Sequence, residues 1–533
     1  MSYQNRHVGN SASLNSNILP QRNGLSSRFR LSHDLKTTMK FDTLYPVYSE
    51  ELNPGDRFHI NLNTFARLNP TVAPIMDRCK ITYYAFFVPN RILWEHWTQF
   101  YGAEEKQGDR TDYLVPHAVI GKNVSRSLAD YLGIPISTNS PEKVSLLPFR
   151  AYYKIWNTYF RSTKLEDPLK EHYDDNYNYE TGKIGNETIQ EYVLQKSNKP
   201  FDYFTSCLPS PNGQDVEIGL TGDAPVLTQE GKATWLNLHL QGGGTYHGSA
   251  DTTGAYGSQL TVGDKNLSNN ITNMYADMSK VSGVSIENLR YAVALQELKE
   301  IENRYGNTYQ EIIKGHYNVS IPDWILPKPL FLGRSVANLE MQVIAQTSET
   351  ATSAQGTLTA VGVASDSEEI VDFSTFEHGQ LMILATASSE VNYQQGLDRK
   401  KTKLRKYDYP FPEFWNLGEQ PVYNKEIFLS DDGTQNNKVF GYQERYREYR
   451  EGVNRITGGM RTGVEGSFDV YHLSPMYKTV PGLNAAFIRS ETPIDRALAV
   501  PSEDAILLNI GFEVYADRVL TTSVHPSIVA GRL

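Results

Sequence analysis

Two stretches of this 533-residue chain bring charge and aromatic rings close enough together to do chemistry. Residues 398–406, Asp398-Arg399-Lys400-Lys401-Thr402-Lys403-Leu404-Arg405-Lys406, hold six cations in nine positions. Residues 442–455 interleave Tyr442, Tyr446 and Tyr449 with Arg445, Arg447, Arg450 and Arg455. Positive charge neutralises phosphate and aromatic faces stack on bases, so the pattern suits single-stranded nucleic acid. At 398–406 a solvated loop competes with that reading. At 442–455, Glu444, Glu448 and Glu451 are placed to pair with the arginines.

Patterns for catalysis are missing. The Gly-Lys pairs at 121–122, 182–183 and 231–232 lack the remaining residues of a phosphate-binding loop. There is no G-x-S-x-G nucleophile elbow. Trp94-Glu95-His96-Trp97 offers one histidine where H-E-x-x-H needs two, and the 12 histidines show no ligand spacing. Asp431-Asp432-Gly433 lacks the alternating oxygens of a calcium loop and reads as a hairpin turn. The paired carboxylates Glu104-Glu105 and Asp174-Asp175 sit on apparent loops. No enzymatic activity, cofactor or metal site is expected.

The elements that position these stretches are mostly strands. Phe58, Ile60, Leu62 and Thr64 alternate with Arg57, His59, Asn61 and Asn63, the period of a half-buried strand. Cys79, Ile81, Tyr83, Ala85 and Phe87 share one face of a second strand whose other face is also aromatic, so both faces should be covered. Further strand patterns lie at 337–347, 379–391 and 505–520, the last with Ile506, Leu508, Ile510, Phe512, Val514 and Ala516 on one side. Helices are expected at 91–101, 125–133, 149–161, 285–303 and 307–315. In the fourth, Ser285 is a fit N-cap and Ile286, Leu289, Ala292, Val293 and Leu298 form the stripe to be buried.

Strands this widely scattered exclude a doubly wound sheet. They fit a mainly β, two-sheet antiparallel sandwich with long helical and loop insertions, with the jelly roll as the natural candidate. Four regions are expected. Residues 1–45 read as an extended basic arm, with Arg6, Arg22, Arg28, Arg30, Lys36 and Lys40 against Asp34 up to position 40. Residues 46–208 would hold the first part of the sandwich, and 285–533 the remainder with a C-terminal arm. Between them, 209–284 carries 12 glycines and an acidic excess, and reads as a surface-projecting insertion with a strand near Trp235.

Net charge is −10, so nucleic-acid contact must be local or delegated to a basic partner. Two cysteines exclude a disulfide framework and suit a reducing cytoplasm. The N-terminus has no apolar core of a signal peptide, and no run is long enough to cross a bilayer, so neither secretion by that route nor membrane insertion is expected. The load of 33 Tyr and 21 Phe suits subunit interfaces as well as a core.

Several blocks, in order from about residue 30 to 458, resemble the major capsid protein of the microviruses, most closely the gokushovirus-like branch. They include Ser32-His33-Asp34, Pro54-Gly55-Asp56 and Pro74-Ile75-Met76-Asp77. Tyr84-Ala85-Phe86-Phe87-Val88-Pro89-Asn90-Arg91 with Trp94 and Trp97 is similar to that family's most distinctive stretch. Asp202-Tyr203-Phe204-Thr205-Ser206, Tyr393-Gln394-Gln395-Gly396-Leu397 and Phe440-Gly441-Tyr442-Gln443-Glu444-Arg445-Tyr446 continue the match.

The resemblance implies a single eight-stranded viral jelly roll that self-assembles into a T=1 icosahedral shell around circular single-stranded DNA. The insertion would rise around the three-fold axes, with Trp235, Tyr246, His247 and Tyr256 at a host-attachment surface that meets a receptor, a glycan being one candidate. Arg6, Arg22, Arg28, Arg30, Arg399, Lys400, Lys401, Lys403, Arg405 and Lys406 would face the DNA. Trp94, Trp97, Tyr153 and Trp156 would lie at subunit contacts. Expected partners are a small basic internal DNA-binding protein and a DNA-pilot minor protein. The expected location is the virion, assembled in the bacterial cytoplasm. The competing reading is a jelly-roll carbohydrate-binding or hydrolytic protein with its site in 213–284.

Overall fold

Period-two alternation builds the central strands. The computed structural model describes residues 26–104, 106–211, 286–306, 308–345, 347, 358–415 and 417–520, with short strands between 226 and 276. The main strands are β1 (Ser27–Arg30), β2 (His33–Met39), β3 (Tyr45–Leu52), β4 (Arg57–Leu68) and β5 (Cys79–Pro89). After the long connection follow β6 (Leu330–Ala345), β7 (Leu358–Ser374), β8 (Gly379–Ser389) and β9 (Ile506–Arg518). In β4, Phe58, Ile60, Leu62, Thr64, Ala66 and Leu68 are all buried, and the residues between them are not.

Every pairing between these strands is antiparallel. One sheet runs β2–β9–β4–β7, with β1 continuing the line of β2 along β9. The other runs β3–β8–β5–β6. The two join where β6 changes partner, since 330–339 pair with β5 and 340–345 with β7. Lettering β2 to β9 as B to I turns these orders into B-I-D-G and C-H-E-F, the jelly-roll topology. Bulges in β6 and β7 meet at Gly333, where an added Cβ would run into the Ile370 carbonyl. Between the sheets lies the main core, including Phe58, Ile60, Tyr83, Phe87, Ile383 and Phe512.

A second core covers part of the outward face of the β3–β8–β5–β6 sheet. Phe86, Val88, Met382 and Leu384 point away from the sandwich and pack against Trp94 and α1 (Leu147–Ile155) with the turn after it. The stripe Phe149, Tyr152, Tyr153 and Trp156 is buried there. Each such side chain contributes roughly 1.5–3 kcal/mol by leaving water.

Some expectations need correction. Residues 91–101 form a 3-10 turn at Asn90–Ile92 and one helical turn at Trp97–Phe100. Residues 125–133 reduce to one turn, Leu128–Tyr131, capped by Ser127. Part of the expected N-terminal arm is β1 and β2, because β9 offers them an edge. The helix at 285–303 is present as α2 (Ile286–Tyr305), but Leu289, Val293 and Leu298 are exposed and only Ala292 of the stripe's described side chains is buried. The helix at 307–315 is α3 (Tyr309–Tyr317), entered through a Thr308–Glu311 capping box.

The chain divides into two compact units: residues 1–211 with 308–533, which hold the jelly roll, and residues 212–307. In the second, Trp235–His239 pairs with both Thr245–Gly248 and Gln259–Gly263, and Val226–Thr228 pairs with Met274–Ala276. No helix among the described residues is long and apolar enough to cross a membrane.

Candidate functional site

The basic run at 398–406 divides by the direction its side chains take. Asp398 accepts from the Lys400 amide at 3.0 Å and starts a 3-10 turn at Arg399–Thr402. That turn sends Arg399 inward, where it donates to the Pro421 carbonyl at 2.6 Å and to Glu426 at 3.1 Å. Lys403 also turns in and donates to Glu448 at 2.9 Å and to the Tyr449 hydroxyl at 3.0 Å; its side chain is 4% exposed. Burial works to raise the Glu448 carboxyl, but hydrogen bonds from Lys403 and Gln420 hold it below its usual range. Burial pushes the Glu426 carboxyl up against the pull of Arg399. These two cations therefore hold the loop to the body of the subunit. They are corrected from the DNA-facing set because each has a buried carboxylate partner.

Lys400, Lys401, Arg405 and Lys406 remain exposed. Beside them Tyr407, Phe411 and Phe414 contact one another with ring centres 6.0–6.3 Å apart. Lys406 lies 5.7 Å from the Tyr407 ring and 5.8 Å from that of Phe411. Tyr407 and Trp415 are 70% and 60% exposed. The result is a ledge of four exposed cations and several aromatic faces, the pairing of chemistry that single-stranded nucleic acid requires. The aromatic half, 407–415, is where sequence reasoning stopped short.

Three arginines of the second basic stretch are paired with acids, two of them within the stretch. Arg447 bonds Glu451 at 2.8 Å, Arg450 bonds Glu444 at 2.6 Å and Arg455 bonds Asp398 at 2.7 Å. Arg28 and Arg30 lie exposed on β1, where Arg28 grips Asp517 through two bonds of 2.7 and 2.9 Å. Arg6, Arg22 and Tyr256 lie outside the described residues. Trp235, Tyr246 and His247 lie on strands of the second unit, and their side chains are likewise outside the description.

The residues expected at subunit contacts are buried within the subunit itself. Trp94 and Trp156 are 0% and 1% exposed, Trp97 and Tyr153 7% each. Trp94 donates to Asp175 at 2.7 Å, Trp156 to the Lys196 carbonyl at 3.1 Å and Tyr153 to the Glu191 carbonyl at 3.0 Å. A buried ion pair, Arg150 with Glu187, braces the layer, and Arg150 also donates to the carbonyls of Leu93 and Asp174. The aromatic stripe marks a packing face, but the face belongs to the subunit's own sheet.

Among the described residues, two groups bring a histidine and two acids close enough together to share a metal ion. In the group His59, Glu369 and Asp372, Arg57 already binds Asp372. In the group His172, Asp174 and Glu187, Arg150 already binds Glu187.

The protein family described as "Capsid protein (F protein)" matches residues 20–528. The chain is 36% identical to "Capsid protein VP1" of Bdellovibrio phage phiMH2K, over 91% of its own length and 92% of the relative's. It is 34% identical to "Capsid protein VP1" of Chlamydia phage 1, over 94% and 95% of the two chains. It is 30% identical to "Capsid protein VP1" of Spiroplasma virus 4, over 95% and 94%.

Proposed function

Because the chain belongs to the phage capsid protein (F protein) family, in its gokushovirus-like branch, we propose that it is the major capsid protein of a small bacteriophage and assembles into a T=1 shell around circular single-stranded DNA. The single observation that carries this reading is the B-I-D-G and C-H-E-F topology within a chain that matches capsid proteins over 91% and 94% of its length. Shell contacts then fall on side chains the subunit leaves exposed. Leu289, Val293 and Leu298 on α2 are such a set, since apolar faces of this kind mark protein contacts.

The ledge at 400–415 supplies the DNA contact, together with Arg28 and Arg30 and the arginines of the N-terminal arm, Arg6 and Arg22. The residual burden of charge neutralisation falls on a small basic internal protein, which suits a net charge of −10. A DNA-pilot protein completes the virion. The insertion, around 209–284, forms the three-fold protrusion and meets the host receptor. Assembly takes place in the bacterial cytoplasm.

Negative-stain microscopy of the purified protein under assembly conditions tests the reading. Closed shells of one diameter are expected, and their nucleic acid should digest with a single-strand DNA nuclease once the shells are opened. A protein that stays monomeric under all assembly conditions sinks it.

A further inference from the structure

Over the first half of β5, the outward side chains form a polar floor with the strands on either side. Ser388, Lys80 and Asn338 stand in one row across β8, β5 and β6, and Thr386, Thr82 and Val336 in the next. In the third row Arg334 stands opposite Tyr84, its guanidinium 5.8 Å from the ring centre. The edge of Phe160 meets Tyr84 at 5.3 Å. Segments at 197–202 and 452–454 wall this floor into a depression of about 690 Å³, within the range of roughly 300–1,000 Å³ typical of ligand sites.

Its charges are unevenly satisfied. Asp202 accepts from the Tyr393 hydroxyl at 2.6 Å and from the amides of Phe204 and Thr205 at 2.9 and 2.8 Å, so it serves the fold. Glu390 stands 3.8 Å from Arg78. Among the described residues, neither Lys80 nor Arg334 has a carboxylate within ion-pair distance. Asn198 also lines the depression. Its amide nitrogen donates to the Phe160 carbonyl and to Glu166, while its Oδ1 is buried without a donor.

A fitting ligand must bring an anion to Lys80 and Arg334, an N–H or O–H to Asn198 Oδ1, and a flat face to Tyr84. Inorganic phosphate meets only the first demand. An acidic sugar meets the first two but lays only a puckered C–H face on Tyr84, where a base stacks a full planar ring. We propose that this depression binds a nucleotide unit of single-stranded nucleic acid, with its phosphate toward Lys80 and Arg334 and its base toward Tyr84 and Asn198. The proposal rests on the reading of a shell that encloses single-stranded DNA, and its site is separate from the ledge at 400–415.

The test is fluorescence anisotropy of a labelled oligothymidylate tetramer with the purified full-length protein. The variant Lys80→Gln/Arg334→Gln is compared with Lys400→Gln/Lys401→Gln/Arg405→Gln/Lys406→Gln. The first replaces the half-buried Lys80 and the exposed Arg334, the second four exposed cations, and circular dichroism checks that each keeps its fold. The first variant should bind about tenfold more weakly, with a salt-dependence slope shallower by about 0.7, since the one phosphate held by both cations counts as a single contact worth about 0.7. Tyr84→Leu should weaken binding without changing the slope, and inorganic phosphate or sialyllactose should not displace the tetramer. An unchanged slope in the first variant overturns the proposal, as does displacement by sialyllactose. If that variant binds the tetramer normally and still forms DNA-filled shells, the pocket is refuted and the shell reading stands. Wild-type shells without DNA would refute the shell reading instead.

Discussion

The outward face of the β3–β8–β5–β6 sheet carries two surfaces on the same strands. Toward the end of β5, Phe86 and Val88 join Met382 and Leu384 of β8 under α1, and all four are buried. Six residues earlier, Lys80 and Thr82 join Thr386 and Ser388 on the floor of an open depression. Backbone pairing is continuous across both halves. The difference lies in the side chains, and it decides what lies on top. An apolar half needs a cover to leave water, and the stripe of α1 supplies one. A polar half loses hydration if it is covered without new partners, so it stays open to solvent.

The largest expected effect lies in the covered half. Trp156→Ala removes a fully buried ring and should cost about 3–5 kcal/mol, read as a lower denaturant midpoint. A loss below about 1 kcal/mol would mean that this layer is not the core its burial describes.

A smaller, pH-dependent effect separates the halves. Burial works to raise the Glu171 carboxyl, but hydrogen bonds from Lys154, Tyr173 and Asn157 outweigh it and hold the group below its usual range. A carboxyl depressed in the folded state stabilises the fold above its unfolded value of about 4.3 and loses that contribution as pH falls through the folded value. The thermal midpoint should therefore decline below about pH 4.3, and Glu171→Gln should flatten part of that decline. An identical profile in the variant would remove Glu171 from the account.

The smallest effect belongs to the open half. Lys80→Gln/Arg334→Gln should change stability by no more than about 0.5 kcal/mol, because neither cation holds another element in place. A loss of several kcal/mol would show that the open half is structural and erase the contrast.

Much of the fold was legible along the chain because it depends on local periodicity. The alternations at Phe58–Thr64 and Ile506–Ala516 read directly as strands with the correct faces inward. β1 and β2 were not legible as sheet members, because their ladder partner lies more than 460 residues away. The candidate sites were read less well. An aromatic stripe at Phe149–Trp156 announces burial but does not say whether the covering surface is the chain's own sheet or a neighbour.

What the sequence determined by itself was the class of molecule: a sandwich of alternating strands whose ordered blocks resemble a capsid family, with cations concentrated in one short run. Only the tertiary structure decided how those cations are used. Arg399 and Lys403 meet Glu426 and Glu448, which lie 27 and 45 residues further on, while Lys400, Lys401, Arg405 and Lys406 stay in solvent. Ion pairing depends on distance in space, and a run of like charges does not reveal which members have a buried partner.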